Sequence, residues 1–228
     1  EKVMTTKTLN ISEEQLVDYS KAHNEPSWMT ELRKKALKLT ETLEMPKPDK
    51  TKLRKWDFDT FKQHHTTGDA YTQLTDLPKS VKEIIDVENS ENLIIQHNND
   101  LAYTQISDQA KNDGVIIEGL SEALVNHSDL VQKYFMTKAV NVDEHRLTAL
   151  HTALVNGGIF VYVPKNTVVE HPIQYVVLHD DEQASFYNHV IIVTEESAEV
   201  TYVENYLSTT SGEDNQLNIV SEVIAGAN

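Results

Sequence analysis

The sequence predicts an α+β N-terminal region over residues 1–158, mainly helical with short strands, followed by the truncated start of a β-solenoid over residues 159–228. Helix-start signals and apolar residues at helical spacing occur before this boundary, and short strand candidates follow it. The strand pattern also repeats: VYVPKNTVVE from residue 161 is similar to IIVTEESAEV from residue 191, and VIAGAN from residue 223 begins the pattern again. A period of about thirty residues is typical of a solenoid, and for strands the solenoid is a β-helix.

Two helices are predicted near the N-terminus. Ser12 and Gln15 have the spacing of a capping box, which places the first helix start at Ser12. Pro26 suits the first turn of the second helix, because the N–H that proline lacks has no partner there. The apolar face of the second helix is predicted to contain Trp28, Leu32, Ala36, Leu39 and Leu43. The basic residues beside that face are expected to lie in water: Arg33, Lys34 and Lys38.

Residues 31–62 are basic in an acidic chain, with ten of the twenty Lys and Arg against six Asp and Glu, while the formal net charge of the chain is -16. Pro46 and Pro48 are expected to end the helix and begin an extended arm. The arm leads to the aromatic residues Trp56, Phe58 and Phe61. Aromatic residues beside basic ones suit single-stranded nucleic acid, but Asp57 and Asp59 alternate with the rings and would repel phosphates. Anchoring of the arm to a core is therefore the favoured interpretation.

The middle of the chain predicts a hairpin, a strand and three helices. NLIIQ and LAYTQI read as strands joined by the turn HNND, and GVIIEGL reads as a third strand. Two short helices follow, with Ser121 and Ser128 as candidate caps. Asp143 is the candidate cap of a longer helix, which Gly157 and Gly158 are expected to end. Its apolar face is predicted to contain Leu147, Leu150, Leu154 and Val155.

Composition excludes several classes of function. Zero cysteines exclude disulfides, a thiol nucleophile, and an iron-sulfur cluster or zinc held by thiolates of this chain. After Lys165 there is no Lys or Arg, whereas eleven Asp and Glu follow, so that half would repel nucleic acid. Neither a membrane span nor a secretory signal is recognisable, which predicts a cytoplasmic protein. The chain stops within a repeat, and we expect a fragment of a longer protein.

No catalytic residues are predicted, because the chain lacks a phosphate loop, a dinucleotide fingerprint and the common hydrolase motifs. The adjacent Asp180 and Asp181 would point to opposite faces of a strand and could not act together on one glycosidic bond. The densest set of metal-ligand types is His171, His179 and His189 with Glu170, Asp180 and Asp181. Their spacing fits neither a helix nor the thirty-residue repeat, so solvated strand ends are favoured and an iron site stays open. His64 and His65 are interpreted as loop residues rather than ligands.

Three long segments carry a family resemblance: EPSWMTELRKKALKLTETLEMPKPDKTKLRKWDF, TALHTALVNGGIFVYVPKNTVVEHPIQYV and NHVIIVTEESAEVTYVENY. Through them the chain resembles the SufB/SufD family of SUF iron-sulfur cluster assembly, with less similarity to SufB around MPKPDKTK. The resemblance implies an N-terminal helical region, then a right-handed parallel β-helix, then a C-terminal segment, absent here, that binds a SufC-like ATPase. It also implies a noncatalytic scaffold that pairs with a SufB-like paralogue through the β-helix. No cofactor is expected on this chain, although the intact complex would handle an iron-sulfur cluster.

Two other functions stay open at this point. A β-helix can carry a carbohydrate-active enzyme, which here would need a neutral polysaccharide because the last 63 residues contain no cation. A generic β-helix binding or adaptor domain would also fit the residues but would predict no SUF partners. The oligomeric state is not determined, so homodimerisation is also open, whereas nucleic acid and membrane are not expected as partners.

Overall fold

The structure is a computed structural model that describes residues 9–47, 58, 60–62, 70–209 and 217–227. Its α-helices within these residues are α1 Glu13–Ala22, α2 Ser27–Thr42, α3 Lys79–Lys82, α4 Asp108–Asn112, α5 Leu120–Asn126, α6 Ser128–Tyr134 and α7 Arg146–Leu154. Short 3-10 turns cover Leu74–Asp76 and Val87–Asn89. Its strands are β1 Asn92–His97, β2 Asp100–Gln105, β3 Ile116–Gly119, β4 Gly157–Val163, β5 Ile173–His179, β6 Phe186–Thr194, β7 Tyr202–Ser208 and β8 Leu217–Ala225.

The strands form two four-stranded sheets. Sheet 1 has the order β2-β1-β5-β7 and sheet 2 has the order β3-β4-β6-β8. In each sheet the first pair is antiparallel and the other pairs are parallel. A shared apolar core lies between the sheets, with Ile94, Tyr175 and Val177 from sheet 1 and residues such as Val190 and Ile192 from sheet 2. The two sheets therefore pack face to face.

The prediction of a β-solenoid, and of the right-handed parallel β-helix that the resemblance implied, is wrong. The described residues form two mixed four-stranded sheets with helices, an α/β fold. The repeat reflects parallel neighbours in sheet 2, where Phe160 lies opposite Ile191 and Ile191 lies opposite Glu222. Neighbouring strands bury equivalent faces and so come to look alike in sequence. Such a pattern does not determine the path of the segments that connect the strands. It also does not predict that β2 and β3 add to the two sheets as antiparallel strands.

Helices cover the outer faces of both sheets. On sheet 2, α5 and α6 pack with the start of α2 over Phe160, Ile191 and Val193. On sheet 1, the α3 segment packs over Leu93 and Val176. Three helices, α1, α2 and α7, share a further core. The predicted division at residues 1–158 and 159–228 stays a prediction, and both sheets join strands from each side of it.

Several local predictions are confirmed, and others are wrong. The capping box of α1 is present, since Gln15 N–H donates to Ser12 and Ser12 N–H donates to Gln15. The hairpin of β1 and β2 and the short helices α5 and α6 are also present. The cap predictions further along are wrong: Gly119, His127 and His145 precede α5, α6 and α7, where Ser121, Ser128 and Asp143 were expected.

Ala36 of the predicted apolar face of α2 is buried, but the other buried residues of this helix are Met29, Arg33 and Thr40. Lys34 and Lys38 contact Glu13 of α1 at the surface, whereas Arg33, expected in water, is buried. Phe58 and Phe61 pack against the helical core, which agrees with anchoring of the arm. Trp56, Asp57 and Asp59 lie outside the described residues.

Candidate functional site

A cavity of about 280 Å³ opens between α1, α2, the β1–β2 hairpin and the start of α5. Its floor includes Gly157 and Gly158, where α7 passes into β4. Its wall includes Tyr19 of α1, Glu25 of the turn between α1 and α2, and Arg33 of α2. The cavity is thus lined by backbone at one end and by an ion pair at the other.

The wall of the cavity is fixed by a buried ion pair. Arg33 Nε and Nη2 donate to the two Glu25 carboxylate oxygens, each at 2.8 Å. Arg33 Nη1 donates to the carbonyl oxygen of Ala153 in the last turn of α7, and Nη2 also donates to that of Val155, the residue after the helix. Burial alone would raise the pKa of Glu25, but Arg33 reverses this effect and the pKa is lowered. The pair therefore stays ionised and ties α2 to α7, a structural role in which the charges satisfy each other.

Amide and phenol groups link the two sheets beside the cavity floor. Gln96 Nε2 donates to Asn188 Oδ1 at 3.0 Å, and Tyr175 donates its hydroxyl proton to Gln96 Oε1. Asn188 Nδ2 in turn donates to the Tyr175 hydroxyl at 3.1 Å. A Cβ at Gly157 would lie 2.9 Å from both Gln96 Nε2 and Asn188 Oδ1, so glycine leaves the space that this polar cluster occupies. Because the cluster is buried and satisfied, it fixes how the sheets face each other.

The β1–β2 turn is tied to the end of β5. Asn98, with a positive φ of 53°, donates its side-chain amide to Asp180 Oδ1 at 2.9 Å. His97 Nε2 lies 2.8 Å from Asp180 Oδ2. Partial burial would raise the pKa of Asp180, but the hydrogen bonds from His97 and Asn98 lower it. His179 is also buried here, and its Nδ1 has no hydrogen-bond partner among the described residues.

A second buried polar chain runs from α7 through β6 to β8. His151 Nε2 lies 2.8 Å from His189 Nδ1, and His189 Nε2 lies 2.8 Å from Glu222 Oε1. The other ring nitrogen of His151, Nδ1, lies 2.7 Å from Asn218 Oδ1. His151, His189 and Glu222 are all fully buried. The chain, defined as Asn218, His151, His189 and Glu222, is called the histidine chain below.

The predicted cluster of metal-ligand residues is not assembled. His171 and His179 lie at opposite ends of β5, and His189 faces α7 within the histidine chain. Within the part of the chain that the structure describes, no three His, Asp or Glu side chains are placed to hold a metal ion. His64 and His65 lie outside the described residues.

Sequence reasoning missed the residues that form the buried networks. His151 lies between Leu150 and Leu154 in a helix whose residues are nearly all buried. A histidine among the apolar residues of that helix was the sequence signal that could have indicated a buried polar contact. Glu222 of β8 lies opposite Ile191 of β6, so a carboxylate follows an apolar residue at the equivalent position of the repeat. That change was a second signal of a buried polar contact. Gln96 and Asn188 offered no signal, because isolated amides in strands are common in either exposed or buried positions.

The outer strands of both sheets carry exposed apolar residues. In β8 the side chains of Leu217, Ile219 and Val223 are exposed, and Val203 is exposed in β7. Residues 217, 219 and 223 share the face that in β6 faces the core between the sheets. Within the described residues, no helix has the length and apolarity needed to cross a bilayer.

Comparisons with known proteins agree on one family. A family model for the SufBD protein N-terminal region matches residues 12–175. The iron-sulfur cluster assembly protein SufD of Bacillus subtilis is 48% identical over 221 residues, which are 96% of this chain and 51% of that protein. An iron-sulfur cluster assembly SufBD family protein of Pyrococcus horikoshii is 29% identical over 86% of this chain and 45% of its own length. An iron-sulfur cluster assembly SufBD family protein of Staphylococcus epidermidis is 27% identical over 85% of this chain and 43% of its own length. The chain thus spans about half the length of each of these three relatives.

Proposed function

The chain belongs to the SufBD family, and from that premise we propose that it is part of a noncatalytic scaffold subunit for iron-sulfur cluster assembly in a SUF-type system. The observation that carries the proposal is the similarity to SufD of Bacillus subtilis, at 48% identity over 96% of this chain. That similarity extends over both sheets and the helices, so it concerns the whole described architecture.

The structure supports a scaffold role through the way its polar groups are used. The Glu25–Arg33 pair and the cluster of Gln96, Tyr175 and Asn188 hold elements together and leave their hydrogen-bonding groups engaged with each other. Groups so occupied serve rigidity rather than chemistry. A rigid frame with open sheet edges suits a subunit whose task is to position other subunits.

The partners follow from the same proposal. We expect a SufB-like paralogue as the direct partner and a SufC-like ATPase bound through a part of the protein outside this chain. Because this chain has no cysteine, thiolates that hold a nascent cluster would come from residues outside it. The cluster is cargo of the complex in this proposal, not a cofactor of these residues.

The carbohydrate-active alternative has lost its structural basis. It depended on a groove along stacked coils, and the described residues form two mixed sheets instead. The adaptor alternative differs from the scaffold in its partners alone, so partner binding is the property to measure.

Coexpression tests the proposal directly. The complete protein that carries this chain is produced together with a tagged SufB-like paralogue and a SufC-like ATPase, and the purified material is examined by native mass spectrometry and metal analysis. We expect a single complex that contains all three subunits. A homodimer that excludes both partners, in a preparation that is folded by circular dichroism, would contradict the proposal.

A further inference from the structure

The histidine chain poses a proton-counting problem. It has three links: Asn218 to His151, His151 to His189, and His189 to Glu222, at 2.7, 2.8 and 2.8 Å. Each link needs one proton between its two heavy atoms. Two neutral imidazoles and a carboxylate supply two protons, so the number of links exceeds the number of protons by one.

The amide of Asn218 decides how the count is balanced. As the structure places it, Asn218 Oδ1 faces His151 Nδ1 and can only accept. All three links are then made when the chain holds three protons, with His189 as an imidazolium beside the Glu222 carboxylate. If the amide turns by half a rotation, Nδ2 donates to His151 Nδ1. Two ring protons then suffice, because both rings carry their proton on Nε2. His151 Nε2–H donates to His189 Nδ1, and His189 Nε2–H donates to Glu222.

The surroundings favour release of the third proton near neutral pH. Burial, with a smaller contribution from His189, lowers the pKa of His151 well below its usual value. Burial also lowers the pKa of His189, although Glu222 opposes this effect. Among the described residues, the neighbours of His151 include Arg33 of α2, which is paired with Glu25 and adds to the lowering of the His151 pKa, and Tyr187 of β6, whose ring lies 6.3 Å from that of His151.

Both carboxylate oxygens of Glu222 accept hydrogen bonds from backbone N–H groups, in addition to the contact with His189. Its Oε1 accepts the Met136 N–H at 2.9 Å and its Oε2 accepts the Val140 N–H at 3.3 Å. Backbone donors of this kind stabilise a buried carboxylate when the imidazole is neutral. Loss of the third proton therefore need not break the chain, provided that the Asn218 amide turns.

We propose that the histidine chain is a proton-coupled amide switch, in which uptake of one proton in the core of the molecule reverses the side-chain amide of Asn218 on the outer strand of sheet 2. Asn218 is half-buried on β8, the last strand of that sheet. In the two-proton form the amide turns its oxygen outwards, and in the three-proton form it turns its nitrogen outwards. The outer strand thus offers an acceptor or a donor according to the proton content of the core.

The tautomers of His151 and His189 report the switch. In the protein labelled with ¹⁵N in its histidine rings, long-range ¹H–¹⁵N NMR distinguishes a protonated Nδ1 from a protonated Nε2. At pH 7.5 we expect both rings to be protonated on Nε2 alone. On acidification, His151 should change to the Nδ1–H tautomer while His189 gains a second proton.

Asn218→Asp locks one state of the switch. A carboxylate cannot donate, so His151 must present Nδ1–H and the three-proton form should persist at pH 7.5. Asn205→Asp on β7 adds the same charge to the outer strand of sheet 1 and should leave both tautomers as in the wild type. Glu222→Gln removes the charge that stabilises the imidazolium. The third proton should therefore bind at a lower pH than in the wild type.

Two results would overturn the proposal. One is a wild-type protein that stays folded throughout the acidification and in which His151 keeps the same tautomer while His189 gains its proton. The other is a folded Asn218→Asp variant in which His151 is protonated on Nε2 alone at pH 7.5. The wild-type titration requires no substitution and decides the matter if the variant does not fold.

Discussion

Strands β6 and β8 are neighbours of equal length with opposite surroundings. Both contain nine residues, and they pair in register from Phe186 opposite Leu217 to Thr194 opposite Ala225. Eight of the nine residues in β6 are buried, whereas in β8 the buried residue is Glu222. A strand with neighbours on both sides is held by apolar packing. The outer strand is held by its backbone ladder, by partial burial of Val220 and Ile224, and by a carboxylate that contacts a histidine of the inner strand.

The largest effect on stability is expected where β4 pairs with β6, with Gly158 opposite His189. Gly158 has a φ of +138°, and a Cβ there would lie 1.9 Å from the His189 carbonyl oxygen. Gly158→Ala should therefore destabilise the protein by more than about 4 kcal/mol, or prevent folding. Gly114→Ala is the matched control, because its φ is +76° but its Cβ would meet nothing closer than 3.7 Å. The control should lose roughly 1–2 kcal/mol in urea denaturation, and equal losses in the two variants would show that the close approach to β6 is unimportant.

The next effect tests the attachment of β8. Glu222→Ala leaves His189 and the N–H groups of Met136 and Val140 without their acceptor in the core. With His189 neutral at pH 7.5, each buried donor left without an acceptor costs about 1–3 kcal/mol. Glu222→Gln keeps the shape of the side chain and should lose less. If urea denaturation gave the same small loss for both variants, the carboxylate would not hold β8.

Equal substitutions on the two strands sharpen the comparison. Ile191 of β6 is fully buried, whereas Ile219 of β8 is 38% exposed. Ile191→Ala should cost about 2–5 kcal/mol through lost burial and the cavity that remains. Ile219→Ala should cost less than about 1 kcal/mol in the same denaturation experiment. Similar losses would mean that β8 is covered in solution, contrary to the comparison.

The pH dependence of stability should be a smaller effect. The folded-state pKa values of His151 and His189 are lowered by burial, so below about pH 6.5 the unfolded chain binds more protons than the folded chain. Stability is therefore expected to be full above pH 6.5 and to fall with acidification, by about 1.4 kcal/mol per pH unit for each ring that stays neutral. Urea denaturation at pH 7.5 and 5.5 measures this fall. A His171→Asn variant should retain it, and unchanged stability of the wild type would contradict it.

The elements of the fold were largely predictable, and their assembly was not. Capping at Ser12 and the hairpin turn HNND are local signals, and both are confirmed. The thirty-residue repeat was a real sequence pattern, but two mixed sheets produce it through parallel pairs, so the β-helix inferred from it was wrong.

The buried polar residues escaped prediction because their partners are distant in sequence. Arg33 was expected in water, yet it is buried because Glu25 and two carbonyl groups at the end of α7 satisfy its donors. The predicted cluster that included His171, His179 and His189 grouped residues by sequence proximity. In the fold, β5 separates the first two, and the third meets His151 and Glu222.

A chimera tests the proposed scaffold function most directly. The matched half of Bacillus subtilis SufD is replaced by this chain, the remainder of that protein is kept, and activities of iron-sulfur enzymes are measured in cells that depend on the chimera. We predict activities close to those with intact SufD, and a loss of activity when the chimera carries Gly158→Ala. A chimera that is folded and as abundant as SufD, yet leaves those enzymes without activity, would contradict the assignment of this chain to cluster assembly.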